Sequence, residues 1–256
     1  MIVAIDVGNS NISIGAYSGD KLLFLSRIST KNDATADEYA VKLRHVFDLY
    51  GHAAAEMEGA IVSSVVPPLS PRLCQALKLL KDVRVYTVGP GLKTGLNIKI
   101  DNPSQLGSDL VCVSVAATAK YPSPAVVVDM STAITFSAID NRKNLVGCAI
   151  TPGVELSLNA LVEGTAQLQK IDLDEPVHSV VGHNTIESMR AGSIYGNAAM
   201  LDGMIVRFRE ELGDNLSVVA TGAQAGYILP YCKEKIIYDE NLLLDGLRLI
   251  FEKNRK

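Results

Sequence analysis

One pattern occurs twice in the chain. MIVAIDVGNSNISIGAY, residues 1 to 17, reads as strand, aspartate, small polar turn, strand; AVVVDMSTAITFSAID, residues 125 to 140, reads the same way. Asp129 then stands opposite Asp6, and the turn Ser131-Thr132 opposite Gly8-Asn9. Short β-rich runs around a Gly/Asn/Ser turn are hairpin signals. A repeated unit constrains the fold more than any single motif, because it implies two related halves. The competing reading is two unrelated hairpins, since an aspartate before a small polar turn is common turn chemistry.

Around these hairpins, strands alternate with helices. Lys21 to Ser26 adds a third strand to an antiparallel meander, and Thr35 with Glu38 forms a capping box. The helix it opens carries Tyr39, Leu43, Val46 and Tyr50 at helical spacing until Gly51. A buried-type strand is expected over Gly59 to Val66, a helix opening at Ser70-Pro71 with Leu73, Leu77 and Leu80 on its face, and a strand over Val83 to Val88. That alternation implies a mixed sheet carrying parallel pairs. The turn-rich stretch 89 to 109 is too long for a simple connection, and such loops usually carry function. A helix follows from Gly107 to Tyr121. Tyr-Pro-Ser-Pro at 121 to 124 then marks the expected boundary between an N-terminal domain, 1–121, and a C-terminal domain, 122–256. A long helix is expected from Asn184 towards Leu212, with Met200, Leu201, Met204, Ile205 and Phe208 as its core stripe. The strand Ser217 to Ala220 runs into Thr221-Gly222, and a helix over Asn241 to Asn254 closes the chain.

Composition removes several function classes. At 256 residues, 48% hydrophobic and 20% charged, the chain is ordinary globular material. A net charge of −4, with no basic helix face, gives no footprint for nucleic acid. MIVAID has no basic stretch before its first acid, and no apolar run approaches the roughly 18 residues of a membrane span, so no membrane partner and a cytoplasmic location are expected. Cys74, Cys112, Cys148 and Cys232 are far apart within apolar sequence, which suits reduced core thiols. His45, His52, His178 and His183 form no metal-spaced pair.

The turns are where chemistry is to be sought. Neither a G-x-x-x-x-G-K-[ST] loop nor a G-x-G-x-x-G after a strand occurs. Gly8-Asn9-Ser10-Asn11 can instead aim backbone N–H groups at phosphate oxygens, with glycine supplying the positive φ of a nest. An aspartate just before such a turn would repel phosphate unless a cation lay between, so Asp6 suits Mg²⁺, directly or through water. The structural alternative is a plain hairpin. Two such hairpins, closed by strand-Thr-Gly-helix at Ala220 to Ala225, describe an α/β fold of duplicated actin-like domains (the ribonuclease H-like, sugar kinase type) with ATP in the cleft between them.

Longer motifs point the same way. AIDVGNSN, SSVVPP at 63 to 68, VGPGLKTGLNIKIDNPSQLGSD at 88 to 109, VVVDMSTAITF at 126 to 136, ITPGVELSLNAL at 150 to 161, GHNTIESMRAGSIYG at 182 to 196 and VVATGAQA at 218 to 225 together resemble the type III pantothenate kinases, in order and through nearly the whole chain. The resemblance implies ATP-dependent phosphorylation of pantothenate to 4′-phosphopantothenate, the first step of coenzyme A biosynthesis. It also implies a cytoplasmic homodimer that uses Mg²⁺ and a monovalent cation, K⁺ or NH₄⁺. Asp6, Val7, Gly8, Asn9, Ser10, Asn11, Ile12 and Ser13 match the ATP phosphate loop, Thr132 another nucleotide contact and Asp129 the monovalent-cation ligand. Asp109 matches the catalytic base, Gly107, Ser108, Asp109 and Leu110 the pantothenate segment around it, and Thr185 a substrate contact. Asp109 opens a helix, where the dipole favours a charged carboxylate able to accept a hydroxyl proton late in the transfer. Thr185 follows a candidate N-cap, Asn184, where an anionic carboxylate would be welcome.

The chain departs from the family pattern at several of these positions. Ile100, in the substrate loop, stands where a tyrosine contacts pantothenate, and Leu110 where an arginine follows the base; Ser131 and Ala223 replace glycines, and Ser10 a threonine. Losing a charge-assisted bond costs about 1.5 to 3 kcal/mol, roughly ten- to a hundredfold in affinity. A non-catalytic nucleotide- or pantothenate-binding relative acting as a regulator, and a kinase for another small hydroxylated substrate, are therefore alternatives to an active pantothenate kinase.

Overall fold

The two hairpins seed two sheets with the same strand order. The computed structural model describes residues 1–255. The first sheet begins with the meander β1 (Ile2–Val7), β2 (Asn11–Ser18) and β3 (Lys21–Ser29); α1 (Ala36–Leu49), β4 (Gly59–Ser64), α2 (Leu69–Leu80) and β5 (Val85–Thr87) follow. Its order is β3-β2-β1-β4-β5, with β1 parallel to β4 and β4 to β5. After the short β6 (Asn97–Ile98) and α3 (Ser108–Lys120), the second meander is β7 (Ala125–Met130), β8 (Ala133–Ile139) and β9 (Asn144–Pro152). Then come α4 (Val154–Glu163), α5 (Thr185–Leu212), β10 (Ser217–Thr221), α6 (Ala225–Ile228), β11 (Ile237–Tyr238) and α7 (Leu242–Asn254). The second sheet runs β11-β10-β7-β8-β9-β6, and without the added β6 it repeats the first strand for strand. Register repeats as well. Asp6 pairs with Ser13 on one side and Ser63 on the other; Asp129 pairs with Thr135 and Thr221.

Local chemistry explains the helices around these sheets. Thr35 Oγ1 accepts from the Glu38 N–H at 3.3 Å while Glu38 Oε2 accepts from the Thr35 N–H at 2.7 Å, completing the expected capping box. Tyr39, Leu43 and Phe47 bury the inner face of α1. Asn184 caps α5, its side-chain oxygen accepting from the Glu187 N–H at 2.9 Å, and Leu201 and Ile205 are fully buried in the predicted stripe. The periodicity gave no warning of β9 or α4. β9 has only its first two residues paired to β6, and its exposure alternates to the end, as suits a strand that continues past its partner. Cys148 lies on that alternating stretch and is exposed, which corrects the expectation of four core thiols; Cys112 alone is fully buried.

Contacts divide the chain into two units: Met1–Leu96 with Asp101–Ala116 and the segment from Asn241 on, and Asn97–Ile100 with Ala117–Glu240. The division at 121/122 expected from sequence differs in placing α7 with the second half. Packing accounts for the difference. α7 lies against β1 and β4 of the first unit, where the Phe251 ring occupies the space beside Gly59. Gly246 of α7 crosses α3 so closely that a Cβ there would stand 2.0 Å from the Cys112 carbonyl oxygen. A side chain at 246 must push the two helices apart. Gly246→Ala is therefore expected to cost about 1 to 3 kcal/mol, or more, read as a lower urea midpoint at unchanged m-value. An unchanged midpoint would mean that the crossing is looser than drawn.

Candidate active site

The first turn is a closed structure with backbone facing outward. The Gly8 N–H donates to the Asn11 carbonyl at 2.9 Å, and β3 straps the turn from outside: the Thr30 hydroxyl donates to the Gly8 carbonyl at 2.7 Å and the Thr30 N–H to the Ser10 carbonyl at 3.0 Å. Asn9, Ser10 and Asn11 are exposed, whereas Val7 and Ile12 are core residues at either end. No residue of this turn has a positive φ, which corrects the nest expected from Gly8. Close approach is what Gly8 provides, since a Cβ there would sit 3.0 Å from the Asn11 carbonyl oxygen.

Beneath the turn, the ends of β1 and β4 meet the start of α3. The Ser63 hydroxyl hydrogen-bonds the Asp6 carboxyl from the adjacent parallel strand. It also lies 2.9 Å from Ser108 Oγ. Ser108 is the first residue of α3, and its Oγ accepts from the Ser64 N–H at 3.1 Å. Asp109 follows, with its Oδ1 buried and without a hydrogen-bond partner among the described residues. Its carboxyl curls back over Gly107, where a Cβ would come within 2.2 Å of Oδ1. One helical turn on, the buried Cys112 thiol feels both carboxylates and hydrogen-bonds Ser63.

Electrostatics in this patch run against the reading of Asp109 as a carboxylate held ionised by the helix dipole. Burial pushes Asp109 up, opposed by hydrogen bonds from the Leu110 N–H and its own. Burial likewise raises Asp6 to about 7, with the Ser63 hydrogen bond opposing and the Asp109 charge adding. The Cys112 thiol is pushed far above its ordinary value by burial and then by the two acids, so it is neutral. Desolvation outweighs the dipole because the helix start is sunk behind two strand ends rather than standing in water. The result is two acids of raised basicity side by side, an arrangement that can accept a proton or attract a cation.

The second unit builds a related turn. Met130 accepts from the Gln224 N–H at 3.1 Å, Ser131 closes on the Ala133 carbonyl at 3.0 Å, and Thr132 accepts from the Gly153 N–H at 3.0 Å. Gly222, at φ +96, lies against Asp129; a Cβ there would be 2.4 Å from the Met130 oxygen and 2.7 Å from Asp129 Oδ1. The Gln224 side chain receives the Val154 N–H at 2.9 Å, joining this turn to the start of α4. Val154 in turn lines an open groove of about 570 Å³ between α4 and α5, together with Thr185, Ser188, Gly192 and Asn197. Thr185 is exposed at the first position of α5, the capping role having gone to Asn184. A Cβ at Gly192 or Gly196, four apart on α5, would meet no other described residue within 4 Å.

The profile of the type III pantothenate kinase family matches residues 2–207. A type III pantothenate kinase of an Exiguobacterium species is 42% identical over 256 residues, covering all of both chains, and that of Brevibacillus brevis is 41% identical over 255 residues with the same coverage. The chain belongs to the type III pantothenate kinase family. It is accordingly a kinase, and the phosphorylation of pantothenate that begins coenzyme A biosynthesis is the reaction against which its acids are to be read. Among solved structures, component A of the (R)-2-hydroxyglutaryl-CoA dehydratase of Acidaminococcus fermentans has a TM-score of 0.57 at 12% identity, covering 100% of this chain and 99% of that one. The ethanolamine utilization protein EutJ of Carboxydothermus hydrogenoformans has a TM-score of 0.55 at 11% identity, covering 97% and 89%. At such identities the likeness concerns fold, and the fold is the duplicated actin-like one.

For a kinase of this family the positions read from sequence divide in two. Asp6 to Ser13 and Gly107 to Leu110 belong to the first unit, where Asp6, Ser108 and Asp109 come together. Leu110, next to Asp109, is buried at 5% exposure. Ile100, Asp129, Thr132 and Thr185 belong to the second unit, Thr132 and Thr185 flanking the Gly153–Val154 bend from opposite sides. Sequence reading took Ser63 only as part of the SSVVPP motif and gave it no role of its own. A signal was present: a buried strand of aliphatic residues, GAIV, ends in two serines level with Asp6.

Proposed function

We propose that this enzyme phosphorylates pantothenate from ATP with Asp109 as the acceptor of the substrate hydroxyl proton, Asp6 as the Mg²⁺ partner and Asp129 as the monovalent-cation ligand. The observation that carries the reading is the half-buried patch where Asp6, at the end of β1, and the start of α3 meet at Ser63, and where the Asp109 charge bears on Asp6. Phosphoryl transfer asks the protein for positioning and charge neutralisation more than for covalent chemistry. A raised, desolvated carboxyl suits the hydroxyl proton, because it is more basic than an ordinary carboxylate.

The donor sets fit the two cations. No group of three or more His, Cys, Asp or Glu among the described residues could hold a metal alone. Mg²⁺, which keeps several waters and binds through one or two carboxylates plus phosphate, requires no such group. When bound, it neutralises phosphate charge beside Asp6. The oxygens of Asp129 and Thr221, adjacent in register, suit a larger monovalent ion. Asp6 to Ser13 and Thr132 serve the nucleotide; Gly107 to Asp109, with Thr185 at the helix start, serve pantothenate and its carboxylate. The exposed apolar side chains Leu156, Leu161, Ile186 and Val206 on α4 and α5 support a homodimer. The family's cytoplasmic location is part of the same reading; no described helix is long and apolar enough to cross a membrane.

Coupled ADP release with pantothenate, Mg²⁺ and K⁺ tests the assignment. Turnover should need all three. With Na⁺ in place of K⁺ the rate should fall at least about tenfold, as expected when an ion of the wrong size leaves a carboxylate and its oxygens imperfectly matched. Equal rates in the two salts would remove the role of Asp129, and ADP release indifferent to pantothenate would remove the substrate.

A further inference from the structure

Ser63 has no place in the reaction as described so far, yet it is the junction of the buried patch. It is fully buried at the end of β4, and three side chains converge on its hydroxyl: the Asp6 carboxyl from β1, Ser108 Oγ at 2.9 Å from the first turn of α3, and the Cys112 thiol from the next turn. A hydroxyl has one proton to give and two lone pairs. With Asp6 ionised, the count closes in one way. Ser63 donates to Asp6 and accepts from the Ser108 O–H, while Ser108 accepts from the Ser64 N–H. Ser108 also lies 3.2 Å from the Ser64 carbonyl, but its single proton cannot serve both acceptors. The start of α3 is thus tied to β4 through side chain and backbone together, and Ser63 links it onward to Asp6 of β1.

We propose that Ser63 is a positioning residue for Asp109: by bridging the Asp6 carboxyl and the Ser108 hydroxyl, it fixes the first turn of α3, and the carboxyl borne there, against the ends of β1 and β4. Asp109 needs such an anchor because its Oδ1 has no hydrogen-bond partner of its own among the described residues. The remaining support is backbone, the Leu110 N–H and its own. The second unit places a hydroxyl at the equivalent point, Thr221 beside Asp129 in the same parallel register and buried likewise. A hydroxyl next to the strand-end acid is therefore a feature of the repeated unit, and in the first unit it is coupled to the start of α3.

This inference rests on Asp109 as the proton acceptor, so its test runs beside Asp109→Asn. Ser63→Ala, at unchanged melting temperature, should lower kcat by about ten- to a hundredfold, the loss expected when a reacting group is displaced by about an ångström. The KM for ATP should change by less than about threefold, since the phosphate turn is untouched. Ser108→Ala removes the other end of the same bridge. Combined with Ser63→Ala it should cost no more than the worse single change, because one interaction cannot be lost twice. If Asp109→Asn is inactive while Ser63→Ala keeps wild-type kcat, the positioning role is overturned and the base stands. If Asp109→Asn is itself active, the base assignment fails and takes this inference with it. Additive losses in the double variant, or a fall in activity that only tracks the folded fraction, also overturn the bridge. Should Ser63→Ala not fold, Ser108→Ala alone decides: full kcat sinks the proposal, and a loss of kcat at constant ATP KM sustains it.

Discussion

Asp109→Asn should lower kcat by about a hundredfold to ten-thousandfold, the range spanned by removing a general base, while the KM for pantothenate moves far less. Asparagine keeps the shape and can still accept from the Leu110 N–H, so the start of α3 has no reason to unfold. What it cannot do is take a proton. The loss therefore belongs in the transition state, and kcat and kcat/KM should fall together. A second signature comes from the direction of the Asp109 shift. Burial holds the carboxyl above its ordinary value, so wild-type kcat/KM should climb with pH through that raised value before it levels. Coupled ADP release over a pH series measures both. Retention of activity within about threefold in the variant would mean that deprotonation contributes little to the barrier, as a fully loose transition state allows, and the base would lose its assignment.

How much of this was legible beforehand depended on the range of the interaction. The repeat could be read because hairpin chemistry is local: an aspartate, a small turn and β-branched flanks lie within a dozen or so residues, and both sheets confirm it in strand order and register. Capping was equally local, at Thr35 and at Asn184. The upward shift of Asp109 was not legible because a first-turn acid looks the same in sequence whether its helix start faces water or is partly buried; desolvation is decided by the surrounding fold. Ser63 was quoted within SSVVPP but given no role for the same reason, since its partners come from β1 and α3, far away in the chain. The affiliation of α7 depended on a glycine meeting a backbone carbonyl, and no periodicity in α7 announces it. Exposure of Cys148 followed from β9 outrunning its partner, a matter of sheet edges that apolar neighbours in sequence do not reveal.

In the absence of metal and nucleotide, Asp6→Asn should be more stable than the wild type at pH 8. The Asp6 carboxyl rises from its ordinary 3.8 to about 7, burial being the main cause. The native state therefore holds this proton more tightly than the unfolded chain, folding takes up a proton between about pH 4 and 7, and wild-type stability falls as pH rises through that window. Below it both states are protonated and the group costs nothing. Above it the native state bears the whole penalty of a buried carboxylate, at most on the order of 4 kcal/mol from the gap between 3.8 and about 7. Asparagine cannot ionise, so this component of the slope should vanish, and the gap between variant and wild type should open from pH 5 to pH 8 in urea titrations with EDTA. Parallel pH profiles would show that Asp6 is not held above its ordinary value. The same substitution should abolish turnover, because a carboxylate that is costly when buried alone is what a cation beside phosphate requires. Mg²⁺ with nucleotide should accordingly raise the wild-type midpoint at pH 8 and leave the variant's nearly unmoved. The instability of this acid and its use to the enzyme then have a single origin, a negative charge placed where water solvates it only in part.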